Sequence, residues 1–186
     1  MVPCISLYNF IQRSRRIVHI RHHAANVDEV SIGGAVALRA YKDYAGAGLQ
    51  EEIPFLGVGM QYIRFAREEP ELYRLLFLTQ EQGQESLAVR SMRHLQELVR
   101  PSLMNIYRIT AEEADVYFRD MWLAAHSIST LIVTGSCPYS DREIEHILTG
   151  FSVGICKAIK EIHCFASGCF DRDAVFQALV DKKKGQ

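Results

Sequence analysis

Residues 121–133, MWLAAHSISTLIV, decide the fold of this chain. The run carries no charge, and a helix that is apolar on nearly all sides must be buried on nearly all sides. Its thirteen residues are too few to cross a bilayer, so protein has to cover it. With its neighbours, the run predicts two long helices within residues 111–162, joined by the turn GSCPY at residues 135–139.

The second of these helices is predicted to begin with a capping box at Ser140 and Glu143 and to be amphipathic. A glycine inside a helix costs about 1 kcal/mol relative to alanine, so two glycines four residues apart indicate that another backbone passes closely. That backbone could belong to the same chain or to a second copy related by a two-fold axis. The predicted dimer contact consists of Ile147, Gly150, Phe151, Gly154, Ile155 and Ala158.

The rest of the chain also follows a helical periodicity. Helices are predicted over residues 31–49, 53–69, 71–78, 86–108 and 171–181. Pro70 separates two of them, Pro101 is expected to break or kink another, and residues 80–85 form a polar loop. No run alternates apolar and polar residues with a period of two between turn signals. The predicted fold class is therefore all-α.

Composition and charge narrow the class of protein. The chain has 186 residues, 48% hydrophobic and 23% charged, which is typical of one soluble domain with a real core. The net charge of -1 argues against general binding of polyanions, but residues 1–27 hold four arginines and no acid, so nucleic acid is expected to bind at that end. Five scattered cysteines, no signal segment and no membrane span favour a reduced cytoplasmic protein.

Two segments resemble a specific family. The run GMQYIRFAREEPELYRLLF at residues 59–77 resembles the regulatory-domain signature of the tetracycline-repressor (TetR) family, in which Tyr-x-x-Phe-Ala leads into Glu-Pro and a further helix. Trp122, followed four residues later by His126, is similar to a Trp/His segment in the penultimate helix of one regulator subgroup. Together the two segments extend the resemblance over most of the chain from residue 31 onward.

The start of the chain, VPCISLYNFI at residues 2–11, is similar to the turn and recognition helix of the family. The resemblance implies these DNA-contacting residues: Ser6, Leu7, Tyr8, Asn9 and Arg13. The two helices that brace a recognition helix do not precede it here, so specific DNA binding is expected to be weak in this chain and to be restored in a longer form. Residues 1–26 would be a remnant of the helix-turn-helix, and residues 27–186 would bind the ligand and dimerise.

Members of the family bind a small molecule in the regulatory domain, dimerise through its last two long helices and repress transcription at operator DNA. The resemblance implies a homodimer here, with a small apolar or aromatic effector and no cofactor. Such pockets are mainly apolar and aromatic, and the candidates are Met60, Tyr62, Phe65, Phe77, Met92, Tyr107, Trp122 and His126. Each could instead be a plain core residue. Trp122 and His126 share a helix face and could grip one ligand, although His126 could equally donate to a backbone carbonyl.

The residues also leave other functions open. Glu143 and His146 have the spacing of half a di-iron site, but the sequence holds no second copy of the motif. A possible zinc set lacks paired Cys-x-x-Cys spacing and consists of Cys156, His163, Cys164 and Cys169. No nucleophile and base have local support, so no enzyme is predicted. The alternative to the regulator is a dimerising or metal-binding helical-bundle protein without DNA-binding activity.

Overall fold

The computed structural model describes residues 27–51, 53–79 and 86–184. Within these ranges the chain forms seven α-helices and one π-helical segment, with no strand, which confirms the predicted all-α class. The helices are α1 (Val27–Gly48), α2 (Pro54–Glu68), α3 (Pro70–Tyr73), α4 (Leu87–Tyr107), α5 (Ala111–Val133), α6 (Asp141–Glu161) and α7 (Arg172–Lys184). The π-helical segment, Arg74–Leu78, continues directly from α3.

The two long helices α5 and α6 begin and end where their local sequence predicts. Each opens with a capping box, in which the backbone N–H of Thr110 or Ser140 donates to a glutamate three residues later, at 2.7 and 2.8 Å. Gly135 follows α5 with a φ of 72°, a left-handed conformation that glycine adopts without strain. The Arg74 side chain donates to the carbonyl oxygen of Val133 and so caps the last turn of α5.

Two predicted helix ends were wrong, and a break predicted as one possibility is absent. α1 begins at Val27 rather than near Ser31, and α7 continues to Lys184 rather than ending at residue 181. α4 runs through Pro101 as one unbroken helix. A proline removes a single backbone hydrogen bond, and the buried face on either side of it, at Val99 and Leu103, keeps the helix packed. The predicted loop at residues 80–85 lies outside the described residues.

The central helices are α2 and α5, which pack against each other and against the remaining long helices: α2 against α1, and α5 against α4 and α6. Their shared core contains these fully buried side chains: Tyr41, Phe65, Tyr73, Leu103, Tyr117, Ile144 and Leu148. A bidentate ion pair joins Arg100 on α4 to Asp115 on α5, at 2.7 and 3.1 Å. This arrangement brings α2, α4 and α5 together along one side of the domain.

The ends of α1 and α2 touch through their backbones. A Cβ atom placed on Gly48 would lie 2.5 Å from the backbone nitrogen of Val58, and Gly57 faces the carbonyl oxygen of Gly48 equally closely. Real side chains essentially never approach that near, so only glycine fits at either position without a shift of the backbone. The crossing fixes where the two helices meet.

The outer sides of α5 and α6 remain apolar and exposed in the single chain. Leu123 and Leu131, two turns apart on α5, are 50% and 36% exposed, so the expectation that this helix is covered on nearly all sides does not hold within one chain. Phe151 on α6 is 51% exposed. Added Cβ atoms on Gly150 and Gly154 would meet no described atom within 4 Å. The alternative in which these glycines admit a described helix of the same chain is therefore wrong.

The last helix, α7, is also apolar on its surface, with Phe176, Leu179 and Val180 all more than half exposed. Among the residues that the structure describes, no helix combines the length and the apolar character needed to cross a membrane.

Candidate ligand site

An aromatic cluster occupies the space between α1, α2, the π-helical segment and α5. Trp122 and His126 lie one turn apart on α5, so their rings stack, with centroids 4.7 Å apart and planes inclined by 11°. The His126 ring also stacks on Tyr73, at 6.0 Å. The rings packed around this stack are Tyr41 from α1, Tyr62 from α2 and Phe77 from the π-helical segment.

A hydrogen-bond network runs through the cluster and fixes its geometry. Nδ1 of His126 lies 2.9 Å from the hydroxyl of Tyr62 and 2.9 Å from the hydroxyl of Tyr73. The Tyr73 hydroxyl also reaches the side chain of Thr130, at 3.1 Å, and donates to the His126 carbonyl oxygen, at 3.3 Å. Nδ1 of His126 thus bonds to tyrosine hydroxyls from two other helices.

Burial sets the charge state of the cluster. It lowers the pKa of His126, which favours the neutral imidazole at neutral pH. It raises the pKa of Tyr41, Tyr62 and Tyr73, so all three phenols keep their protons. A neutral imidazole nitrogen without a proton can accept a hydrogen bond from a phenol. The cluster is therefore polar but carries no net charge.

A cavity adjoins the cluster where α2, α4 and α5 meet. It encloses about 30 Å³, and the empty space including its solvent-open mouth is about 410 Å³. Its lining is formed by Val58, Gly59, Tyr62, Leu95, Val99, Phe118, Met121, Trp122 and Ala125. None of these described lining residues carries a charge, and most are aliphatic or aromatic. Such a lining suits an apolar ligand better than an ion.

Four buried polar atoms in the described chain have no hydrogen-bond partner: the hydroxyl oxygens of Tyr41, Ser91 and Ser129 and the indole nitrogen of Trp122. Buried polar groups are nearly always paired in folded proteins, because an unpaired one has lost its water without replacement. Two of the four, on Tyr41 and Trp122, belong to the aromatic cluster. Ser91 and Ser129 each lie one helical turn from a cavity-lining residue, Leu95 and Ala125 respectively.

The structure gathers only part of the predicted pocket set. Tyr62 and Trp122 line the cavity, and Phe77 and His126 belong to the adjoining cluster. Phe65 is fully buried, and its ring contacts those of Tyr41 and Tyr73 in the cluster, at 5.8 and 6.3 Å. Met60 and Met92 are partly buried against the core, and none of the three lines the cavity. Tyr107 is apart from the others, at the end of α4, where its ring packs 5.3 Å from that of Tyr117.

Sequence reasoning missed Tyr41, Tyr73, Phe118 and Thr130. Tyr41 and Tyr73 are buried members of the aromatic cluster, Phe118 lines the cavity, and Thr130 holds the Tyr73 hydroxyl. A helical signal was available for Phe118, which precedes Trp122 by one turn on α5. Tyr41 and Tyr73 lie far from α5 in sequence, so only the folded chain brings them to it.

The other predicted sites lie in other parts of the chain. On α6, Gly150, Phe151 and Gly154 are exposed, whereas the remaining predicted dimer residues are partly buried: Ile147, Ile155 and Ala158. The predicted DNA-contacting residues lie outside the described residues: Ser6, Leu7, Tyr8, Asn9 and Arg13. In the described part of the chain, no three His, Cys, Asp or Glu side chains are grouped so that they could hold a metal ion.

Residues 55–150 match the family model described as "Tetracyclin repressor-like, C-terminal domain". The match covers slightly more than half of the chain and includes α2 to α5, the aromatic cluster apart from Tyr41, and the first half of α6. The search of curated proteins and the search of solved structures each found no match to the chain.

Proposed function

Since the chain belongs to the tetracycline repressor-like family through its C-terminal domain, we propose that it is a transcriptional repressor that binds a small effector and acts as a homodimer on operator DNA. Residues 27–186 form the ligand-binding and dimerisation domain, and residues 1–26 contribute to DNA reading. The protein acts by binding rather than by catalysis, in the cytoplasm. Effector binding biases the spacing of two DNA-reading heads and so couples the pocket to the operator.

The observation that carries the effector proposal is the uncharged cavity beside the Trp122 and His126 stack. Ligand pockets are mainly apolar, with a few placed polar groups that orient the ligand. The lining residues of the cavity supply the first property, and the hydroxyls of the adjoining cluster supply the second. A small apolar or aromatic molecule is the effector that this arrangement favours.

A thermal-shift screen against small metabolites tests the effector proposal. A ligand that binds only the folded chain must raise its melting temperature. Trp122 is the sole tryptophan and lines the cavity, so binding should also change its fluorescence. Ala125→Leu places a larger side chain in the cavity and should abolish both signals, whereas Ala124→Leu, at a neighbouring position outside the lining, should retain them. A screen in which nothing stabilises the protein would contradict the proposal.

The dimer proposal is supported by the exposed apolar residues on α5 and α6. In a single chain the side chains of Leu123, Leu131 and Phe151 are exposed to water. Burying their apolar surface against a second copy would favour association. Gly150 and Gly154 have the open space that lets a partner backbone approach. A two-fold axis would pair these residues with the same residues of a second copy.

Sedimentation of the protein with Phe151→Asp tests the dimer. Phe151 is half exposed, so the substitution should leave the fold intact while placing a charge in the proposed contact. Leu98→Asp, at an exposed leucine on α4, is the matched control and should sediment as the parent does. A parent protein that sediments as a single chain at micromolar concentration would contradict the dimer.

A further inference from the structure

The unpaired polar groups of Tyr41 and Trp122 indicate the chemical class of the effector, in addition to its apolar character. Both side chains belong to the aromatic cluster, and Trp122 lines the cavity. The rings of Tyr41 and Trp122 both contact those of Tyr62 and Phe77, with centroids 5.4–6.4 Å apart, so the two side chains border the same part of the cluster. Neither group, however, has a hydrogen-bond partner with bonding geometry. One acceptor atom placed near both would satisfy a donor from each.

We propose that the effector is an uncharged molecule with an apolar body and a hydroxyl or carbonyl oxygen, and that this oxygen accepts hydrogen bonds from the Trp122 indole and the Tyr41 hydroxyl. This inference rests on the proposed effector-binding function and adds the chemical class of the effector. The indole N–H only donates, so its partner must be an acceptor.

Two further unpaired hydroxyls each lie one helical turn from a lining residue. Ser91 precedes Leu95 by one turn on α4, and Ser129 follows Ala125 by one turn on α5. Consecutive helices joined by a short link pack antiparallel, so the start of α4 and the end of α5 lie at one end of the domain. Both serine side chains are fully buried and without a partner. The two hydroxyls are thus further buried polar groups near the cavity, besides those of Tyr41 and Trp122.

The charge of the effector follows from its surroundings. No lining residue among those described carries a charge, and burial keeps His126 neutral. An ion moved from water into such a site would lose its hydration without gaining an opposite charge, and this cost is far larger than that of burying a hydroxyl. A carboxylate or an ammonium group is therefore excluded from the inner end of the cavity.

The effector is also expected to be small. The enclosed volume of about 30 Å³ holds roughly one water molecule, so side chains must move before any organic ligand enters. Met121 lines the cavity, and its unbranched side chain can take several rotamers. A two-ring molecule therefore enters only if such side chains move aside.

Three probes of nearly the same shape test the proposal: indane, 2-indanol and indane-2-carboxylate. Their affinities are measured by the fluorescence of Trp122 and by calorimetry at neutral pH, with the whole chain. The role of the Tyr41 hydroxyl is tested with Tyr41→Phe, which removes that hydroxyl and keeps the buried ring. The matched control is Tyr44→Phe, whose lost hydroxyl donates to Glu68 at an exposed site.

For the parent we expect 2-indanol to bind at least as tightly as indane, and the carboxylate to bind about 100-fold more weakly or not at all. Tyr41→Phe should weaken the binding of 2-indanol by about threefold to tenfold, the range of one net hydrogen bond, and leave the binding of indane unchanged. Tyr44→Phe should change neither affinity.

Two results would overturn the inference while leaving an effector pocket in place. In the first, the parent binds indane more tightly than 2-indanol, and Tyr41→Phe does not change the ratio of the two affinities. The Tyr41 hydroxyl would then make no hydrogen bond to the ligand. In the second, indane-2-carboxylate binds as tightly as 2-indanol. Failure of all three probes to bind at millimolar concentration would instead count against the proposed effector pocket itself.

Discussion

Replacing Gly150 and Gly154 together by alanine separates helix propensity from the effect of a close partner backbone. Within the described chain neither added Cβ atom meets anything within 4 Å. Alanine is more favourable than glycine inside a helix by about 1 kcal/mol, so the two substitutions should stabilise an isolated chain by about 2 kcal/mol. For a protein of this size, that gain raises the melting temperature by about 4–8 °C.

The same two substitutions should weaken self-association. In a two-fold dimer each position occurs twice, so four methyl groups enter the contact where the backbones are closest. Overpacking typically costs about 1–3 kcal/mol per site, which predicts a rise of about tenfold or more in the dimer dissociation constant. Sedimentation over a concentration series measures the association, and thermal melting of dilute protein measures the stability of the single chain.

Gly46→Ala is the matched control, because this glycine lies inside α1 and its added Cβ also meets no described atom within 4 Å. It should raise stability and leave association unchanged. If the double variant gains stability but associates as tightly as the parent, the two glycines do not lie at the dimer contact. If the double variant is less stable than the parent as a dilute single chain, the added methyl groups must collide within the chain, and the space around Gly150 and Gly154 is not open.

Three further predictions concern the fold and the cluster. Gly57→Ala should lower the free energy of unfolding by about 1–3 kcal/mol, because its Cβ would collide with the end of α1; urea unfolding measures this, and no loss would contradict the backbone crossing. Burial lowers the pKa of His126, so the free energy of unfolding should decline as the pH falls below the unfolded value of about 6.5. His126→Phe should remove that part of the decline in urea titrations at about pH 7 and pH 5, and an unchanged decline would mean that another group causes it. Ser140→Ala should cost about 1 kcal/mol by removing the cap of α6, whereas Ser136→Ala, in the preceding turn, should cost little in the same thermal melts.

The sequence predicted the parts of the fold that local interactions determine. The turn between α5 and α6 follows from Gly135 and Pro138, and the capping box at Ser140 satisfies backbone groups within four residues. The start of α1 and the passage of α4 through Pro101 were not predictable in this way. Both depend on packing against other helices, which overrides the local preferences of glycine and proline.

The candidate site could be predicted only where one helix supplies both partners. Trp122 and His126 stack because they lie one turn apart on α5, which the sequence shows directly. Tyr73 reaches His126 across 53 residues of chain, and nothing near Tyr73 indicates that contact. Tyr107 is as aromatic as the others, but it lies at the far end of α4, so composition alone could not exclude it from the pocket.

The close contact between Gly48 and Gly57 fixes the C-terminal end of α1, so the helix can tilt only about that end. α1 has 22 residues and is therefore a lever about 33 Å long, held by its tail against α2. A tilt of about 5° around that pivot would carry the Val27 end sideways by about 3 Å, while the pivot itself hardly moves. Small rearrangements deep in the domain would thus be magnified where residues 1–26 join it.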